Sequence, residues 1–324
     1  MRALLLVLLA GALCCRADAA ADWVASTAPM ALVKVAPHTW YVRGEAGMVS
    51  AANQGFNSNA GFVVTRDGVV VFDALGTPGL GAALLARIRT VTRAPIRKIV
   101  ISHYHSDHFY GLTAFKAAGP VEVIAQRAVR DYLATPAAAE RLAERRHSLA
   151  PWVDARTAIV APDRYLDDAA SSFQLGGMTF TILHAGPAHT PEDLMMLVKE
   201  EGVLFAGDVV FTGRIPFVGD ADITPWLGAI ERLAAARPKV MVTGHGAHST
   251  DAGADLALTR DYLSFLRTSM RAAVEQGTDF EDAYRATDWS AFGALPAFEA
   301  ANHKNAFGAY LAAEREALKP AAKP

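Results

Sequence analysis

The segment His103-Tyr104-His105-Ser106-Asp107-His108 sets four potential metal ligands within six positions. Just before it, Ile99-Val100-Ile101-Ser102 is apolar and β-prone, so the cluster leaves a buried strand. Neighbouring imidazoles and carboxylates repel one another and lose hydration unless something cationic binds them. Ligands at 103, 105 and 107 do not share one helical face, so the spacing predicts a loop in which they converge. Imidazole combined with carboxylate suits zinc, iron or manganese. The rest of the chain must therefore bring further ligands to the end of this strand.

The chain has 324 residues, 52% of them hydrophobic and 20% charged, enough to bury a large core. Its formal net charge of -2 provides no basic footprint, which argues against nucleic acid as a partner and leaves a small-molecule substrate. No low-complexity tract or linker divides it, which predicts one domain over residues 20–324. Residues 1–19 read as a signal peptide: Arg2 supplies the charge, Ala3 to Cys15 the apolar stretch, and Ala17-Asp18-Ala19 the cleavage site. The expected location is the periplasm. Cys14 and Cys15 both lie inside that leader, so the processed chain would have no disulfide, thiolate ligand or cysteine nucleophile. Any metal would then be held by His and carboxylate, and no segment after the leader is long and apolar enough to span a membrane.

Ala60 to Val64 and Val69 to Phe72 flank an Asp67-Gly68 turn and predict a hairpin that ends at Asp73. A helix is expected over Leu80 to Val91, with Leu84, Leu85 and Ile88 on one face, followed by a strand over Ile96 to Ile101. His108 to Ala118 reads as a helix stopped by Gly119-Pro120, then Val121 to Ala125 as a strand. Residues 126–158 read as helical, with Glu140 to Arg146 as a solvated face. Strands follow at Met178 to Leu183, Leu194 to Lys199, Val203 to Ala206 and Lys239 to Thr243. A helix is expected over Trp226 to Ala236 and a helical tail from Asp255, with Leu256, Leu258, Tyr262 and Leu266 among its apolar positions. Two stretches echo each other: a strand ending in Asp73 leads through a helix to a strand ending at His103, and one ending in Asp208 leads likewise to His245. That pattern predicts two similar β/α halves facing one another.

Three later fragments offer the missing ligands. Gly186-Pro187-Ala188-His189-Thr190 presents His189 from a turn, Ala206-Gly207-Asp208 ends a strand with a carboxylate, and Gly244-His245-Gly246 sets a histidine between glycines that let backbones approach. The set His103-x-His105-x-Asp107-His108, His189, Asp208 and His245 resembles the metallo-β-lactamase superfamily in its binuclear hydrolase form, over roughly Ala31 to Ser249. The resemblance implies an α/β fold, the four-layer αββα sandwich, and two Zn²⁺ ions. It assigns His103, His105 and His189 to one metal, Asp107, His108 and His245 to the second, and Asp208 as a bridge. It further implies a hydroxide bridging the metals that attacks an ester, thioester or amide/lactam-like bond, with Asp107 as the catalytic group in proton transfer. Asp73 resembles the family's aspartate that braces the ligand loop without touching metal.

A narrower resemblance rests on Arg43 to Phe62, Asp73 to Pro78, Gly186 to Asp193 and Gly213 to Gly219. These segments resemble the quinoprotein relay system zinc metallohydrolases, a group related to a sulfur-oxidation-cluster protein, which implies a periplasmic quinoprotein system as partner. Two alternatives stand beside the hydrolase: an iron-dependent sulfur dioxygenase needing only His103, His105, His189 and Asp208, and a metal-binding accessory protein without turnover. On the substrate side, Gly44 to Asn59 is expected to overhang the metals as a flap, with Met48 and Phe56 as apolar contacts. Arg214 is a candidate for meeting an anionic group, and Tyr104 and Tyr110 are candidate oxyanion donors. His184 and His248 read as neighbours of the site rather than ligands, and His38, His147 and His303 as surface residues.

Overall fold

A computed structural model describes residues 23–219 and 221–318. The leader expected over residues 1–19 lies outside the described residues. Among those described, no helix is long and apolar enough to cross a membrane.

The chain lays down two sheets. The first has seven strands in sequence order: β1 (Leu32–Ala36), β2 (Thr39–Val42), β3 (Ala60–Thr65), β4 (Gly68–Phe72), β5 (Ile96–Val100), β6 (Glu122–Gln126) and β7 (Arg164–Leu166). Along it run the helices α1 (Pro78–Val91), α2 (Ser106–Phe109), α3 (Leu112–Ala118), α4 (Ala128–Leu133) and α5 (Pro136–Ser148). The second sheet is ordered β12-β11-β10-β9-β8, built from β8 (Ala170–Leu175), β9 (Met178–His184), β10 (Leu194–Val198), β11 (Val203–Phe211) and β12 (Val240–His245). Helix α6 (Ile223–Ala236) links β11 to β12, and α7 (Ala252–Glu275), α8 (Phe280–Ala286) and α9 (Phe298–Ala317) follow.

Strand β4 is buried along its whole length, as a strand covered on both faces must be. Val69 and Val71 face a core shared with Leu80, Leu84 and Ile88 of α1. Val70 and Phe72 face the other way, into a core shared with Phe180, Met196 and Phe205 of the second sheet. In the second sheet Val203 and Phe205 join that central core, whereas Leu204 and Ala206 meet Trp226, Ile230, Tyr262 and Leu266 of α6 and α7. Alternation of period two thus feeds three successive cores. They are helix on sheet, sheet on sheet, and sheet on helix, which is the αββα sandwich expected from sequence.

The predicted halves are present. Strands β4 and β5 pair in parallel around α1, and β11 and β12 pair in parallel around α6. The hairpin is present, with Arg66-Asp67 as its loop and Gly68 opening β4 opposite Thr65, one residue earlier than the Asp67-Gly68 turn expected. Four differences have local causes. The helix expected from His108 starts earlier, as the single turn α2, and Tyr110-Gly111 separate it from α3. Residues 126–158 form two short helices, α4 and α5, with a turn at Ala134-Thr135 that Pro136 enforces by opening α5. Strand β11 does not end at Asp208 but continues to Phe211, because Gly207 at φ +53° makes a bulge that re-aims the chain. Strands β1, β2, β7 and β8 are not predicted; β7 has only three residues, and β8 is an edge strand in which no residue is buried.

Candidate metal centre

The ligand candidates are delivered from both sheets. Ile101-Ser102 leave β5 and present His103, His105 lies just before α2, and α2 carries Asp107 and His108. From the second sheet come His189 in the turn between β9 and β10, Asp208 after the β11 bulge, and His245 at the end of β12. All seven side chains named from sequence meet in one cluster. Potential ligand atoms of His103, His105 and His189 lie within 4.8 Å of one another, as do those of Asp107, His108 and His245. Asp208 joins a third such group with His103 and His108. Its Oδ2 lies 3.6 Å from His189 Nε2 and 3.2 Å from His245 Nε2, so this carboxylate stands between the two triads.

Outer hydrogen bonds fix the imidazole tautomers. Asp73 accepts from the Ser102 backbone N–H at 2.7 Å, the Ser102 hydroxyl at 2.8 Å and His108 Nδ1–H at 2.9 Å. With its proton given to Asp73, Ser102 Oγ accepts from His103 Nδ1–H at 3.0 Å. His245 Nδ1–H donates to the Asn57 carbonyl at 2.7 Å. In the neutral rings the inner nitrogens of His103, His108 and His245 therefore carry the lone pairs. Those of His108 and His245 face the carboxylates: His108 Nε2 lies 3.4 Å from Asp208 Oδ1, and His245 Nε2 lies 3.5 Å from Asp107 Oδ2. His103 Nε2 and His189 Nε2 both crowd His105 Nδ1, at 3.0 and 2.9 Å. His108 Nε2 and Asp208 Oδ1 are buried with no hydrogen-bond partner. Acceptors packed against acceptors are stable only around a cation, and tetrahedral bonds of about 2.0–2.1 Å give ligand separations close to these. The donor set fits divalent metal.

Electrostatics agrees with that reading. Burial, then repulsion from the neighbouring imidazoles, holds His103 and His105 well below the ordinary imidazole range, and burial brings His189 down to about 4. These rings stay neutral and ready to ligate. Burial also opposes a charge on His108, but Asp208, Asp107 and Asp73 outweigh it and push its pKa well up. The pull that favours a proton there favours a metal ion equally. Burial alone would raise Asp208, yet His245 and His108 hold it well below the usual carboxylate range.

The glycines named from sequence are sterically required. A side chain at Gly244 would place a Cβ 2.0 Å from Asp208 Oδ1. Gly246, at φ +97°, would place one 2.1 Å from the Thr212 carbonyl. Above the cluster opens a cleft of about 440 Å³ lined by Met48, Asn57, Asp107, Arg145, Arg214 and Lys304 among others. An adjoining cleft of about 450 Å³ shares His105, Arg141, His189, Phe217 and Lys304 with it.

The flap is tied to the centre by its C-terminal end. Asn57 Nδ2 donates to Asp107 Oδ2 at 3.2 Å and Ser58 Oγ to the Asp107 carbonyl at 2.5 Å. Met48 reaches the cleft, but Phe56 is buried in the core against α1 and touches no substrate space. Tyr104 and Tyr110 are likewise buried away from the cleft, Tyr104 donating to the Val160 carbonyl at 3.0 Å, so neither serves as an oxyanion donor. Glu140 to Arg146 is not merely a solvated face. Arg141, Glu144 and Arg145 line the cleft, and Arg145 Nε donates to Ser106 Oγ at 3.0 Å. His184 contacts the Pro191 carbonyl and His248 the Tyr41 hydroxyl, both outside the cluster, while His38, His147 and His303 are exposed. Asn57, Ser102 and the α5 arginines carry no local signal in the sequence, because their roles depend on partners far along the chain.

Comparison with known proteins points the same way. A linear primary-alkylsulfatase from Pseudomonas sp. (strain ATCC 19151) is 23% identical over 237 residues, 62% of this chain and 44% of that protein. The chain thus spans under half the length of this relative. Hydroxyacylglutathione hydrolase GloC from Haemophilus influenzae is 28% identical over 166 residues, 48% of this chain and 71% of that protein. The solved structure of a metallo-beta-lactamase from Pontibacter korlensis covers 73% of this chain, itself matched over 99%, with a TM-score of 0.57 at 23% identity. The sequence profile of the Metallo-beta-lactamase superfamily matches residues 53–245, more than half of the chain and all seven clustered side chains. On that match the chain belongs to the metallo-β-lactamase superfamily.

Proposed function

We propose that this protein is an exported binuclear zinc hydrolase acting on a small ester, thioester or amide/lactam-like bond. The observation that carries the reading is the double triad with Asp208 between its halves. His103, His105 and His189 would hold one ion, Asp107, His108 and His245 the other, and Asp208 both. When bound, such ions activate a water molecule and polarise the group it attacks. The chain's own part is positioning and proton handling. Asn57 grips two of the three second-triad residues, Asp107 through its side chain and His245 through its carbonyl. Asp73 orients His108 and, through Ser102, His103. Asp107 is the half-buried carboxylate on the cleft side, placed to take the proton released on attack and pass it to the leaving group. The two relatives above are named as an alkylsulfatase and a hydroxyacylglutathione hydrolase, which supports bond hydrolysis without fixing the bond. Export to the periplasm and service to a quinoprotein system enter the proposal from the sequence resemblance.

Elemental analysis of the processed protein, purified without added metal or chelator, tests this directly. About two zinc per chain is expected; about one iron would overturn the reading in favour of oxygen-dependent chemistry. Asp107→Ala should retain the ion of the first triad, weaken the second, and lower kcat by about 10²- to 10⁴-fold. Full metal content and unchanged turnover in that variant would remove Asp107 from its role.

A further inference from the structure

The two clefts at the metal cluster are not equivalent. The first, about 440 Å³, lies over both triads, whereas the second, about 450 Å³, touches only His105 and His189 among the clustered side chains. Both are bounded by Phe217, a half-buried ring in the loop between β11 and α6, and by Lys304 of α9. The second cleft's other walls are chiefly Pro187, Ala188, Pro191, Val218 and Ala221, and Asp222 at its rim is engaged in capping α6. Such walls suit an apolar group. The loop is held from α9, which lies beyond residue 245, where the superfamily profile ends. Asn305, with no exposed surface, grips the two peptides that flank Phe217: its Oδ1 accepts from Val218 N–H at 2.9 Å and its Nδ2 donates to the Pro216 carbonyl at 2.8 Å. The same amide donates to the Tyr262 hydroxyl at 2.9 Å, which donates to Asn302 Oδ1 at 2.8 Å, and Asn302 donates to the Tyr284 hydroxyl at 3.1 Å. With both its donors and its acceptor engaged, the Asn305 amide has one orientation. Lys304, its neighbour on the helix, sets its ammonium 5.3 Å from the centroid of the Phe217 ring. One turn of α9 thus fixes the backbone of Phe217 from both sides and covers its ring.

We propose that Asn305 is a positioning residue that sets substrate choice: it holds Phe217 as the partition between the clefts, so that the substrate's acyl part is an apolar chain lying in the second cleft against that ring. The acyl side is assigned through Asp107. That carboxylate, placed to protonate the leaving group, lines the first cleft and not the second, so the leaving group departs there. The proposal rests on the hydrolase reading for its turnover arm and not for its binding arm. In the turnover arm, metal-loaded protein is assayed with 4-nitrophenyl acetate and 4-nitrophenyl hexanoate. Wild type should favour the hexanoate, and Phe217→Ala should lower the hexanoate-to-acetate ratio of kcat/KM about 10- to 20-fold, chiefly through KM, as two methylenes left unburied would. Asn305→Ala should lower the ratio about three- to tenfold, and no further when added to Phe217→Ala, because it acts through that ring. A merely structural clamp would slow both esters together and keep its effect in the double variant, which overturns the proposal. Where Asn305→Ala does not fold, Asn305→Ser, which keeps a hydroxyl at the site, is read in the same cycle. In the binding arm, calorimetry on the metal-loaded protein compares hexanoate with acetate, and the preference for hexanoate should fall in both single variants. An unchanged preference overturns the proposal. A hexanoate preference that depends on Phe217 and Asn305, without turnover of either ester, leaves the partition in place and removes the ester-hydrolase reading instead.

Discussion

At the level of single residues, Asp73 does much with no exposed surface. It sits in the left-handed region at φ +61°, a conformation that Asp tolerates better than most side chains, and so turns its carboxylate back under the ligand loop. There it accepts three hydrogen bonds, two from Ser102 and one from His108. Asp73→Ala keeps all seven candidate ligands in the chain but frees the rings of His108 and His103 to turn, and should weaken metal binding about 10- to 100-fold, measured by competition with a chelator. Undiminished affinity would mean that packing alone holds the two rings. The seven clustered side chains were legible from the chain because four of them fall within six positions and each of the others follows a small residue: Ala188, Gly207 or Gly244. Asn57 was not legible: its amide meets Asp107 across 50 positions, and nothing near Asn57 in the chain announces that partner. Arg214 was visible as a candidate, but only its burial separates it from an ordinary surface arginine.

At the level of elements, the paired β-α-β units account for most of what the pattern of apolar residues foretold. Long runs buried on both faces, as in β4 and β11, announce themselves. Short edge strands and helix breaks do not, since their stability comes from neighbours and not from their own periodicity. Among the ties that join the two sheets, Asn59, just before β3, makes several bonds at once. Asn59 N–H donates to the Gly244 carbonyl at 2.7 Å, and its side chain donates to the Thr243 and Gly246 carbonyls at 2.8 and 2.9 Å. The same side chain accepts from Gly44 N–H at 3.1 Å, tying the flap's first residue to the seam. Asn59→Ala strands buried carbonyls and should cost about 2–4 kcal/mol, read as a lowered unfolding midpoint in urea. A loss under 1 kcal/mol would show that water replaces those bonds freely.

For the whole molecule, acid should act on the metal-free protein through its buried rings. His189, almost fully buried, has its pKa drawn down from 6.5 to about 4, so the unfolded chain binds the proton first. Stability is then fully present above about pH 6.5, declines as pH falls, and levels off below about 4, a loss of about 3 kcal/mol from this ring alone. His103 and His105 are lowered in the same direction and add to it. Urea unfolding of metal-free protein at pH 7 and pH 4 measures the difference; equal midpoints would contradict neutral, buried imidazoles. The first sheet's side of the seam supplies His103, His105, Asp107 and His108, and the second's supplies His189, Asp208 and His245. Neither side forms the complete set. An ion held across that seam binds the folded chain far better than the unfolded one, so free metal at about 1,000 times its dissociation constant adds about 4 kcal/mol to the fold. Metal supply thereby acts as a second stability coordinate beside temperature: each tenfold fall in free ion above that constant withdraws about 1.4 kcal/mol, until the molecule is left with only what its three cores provide.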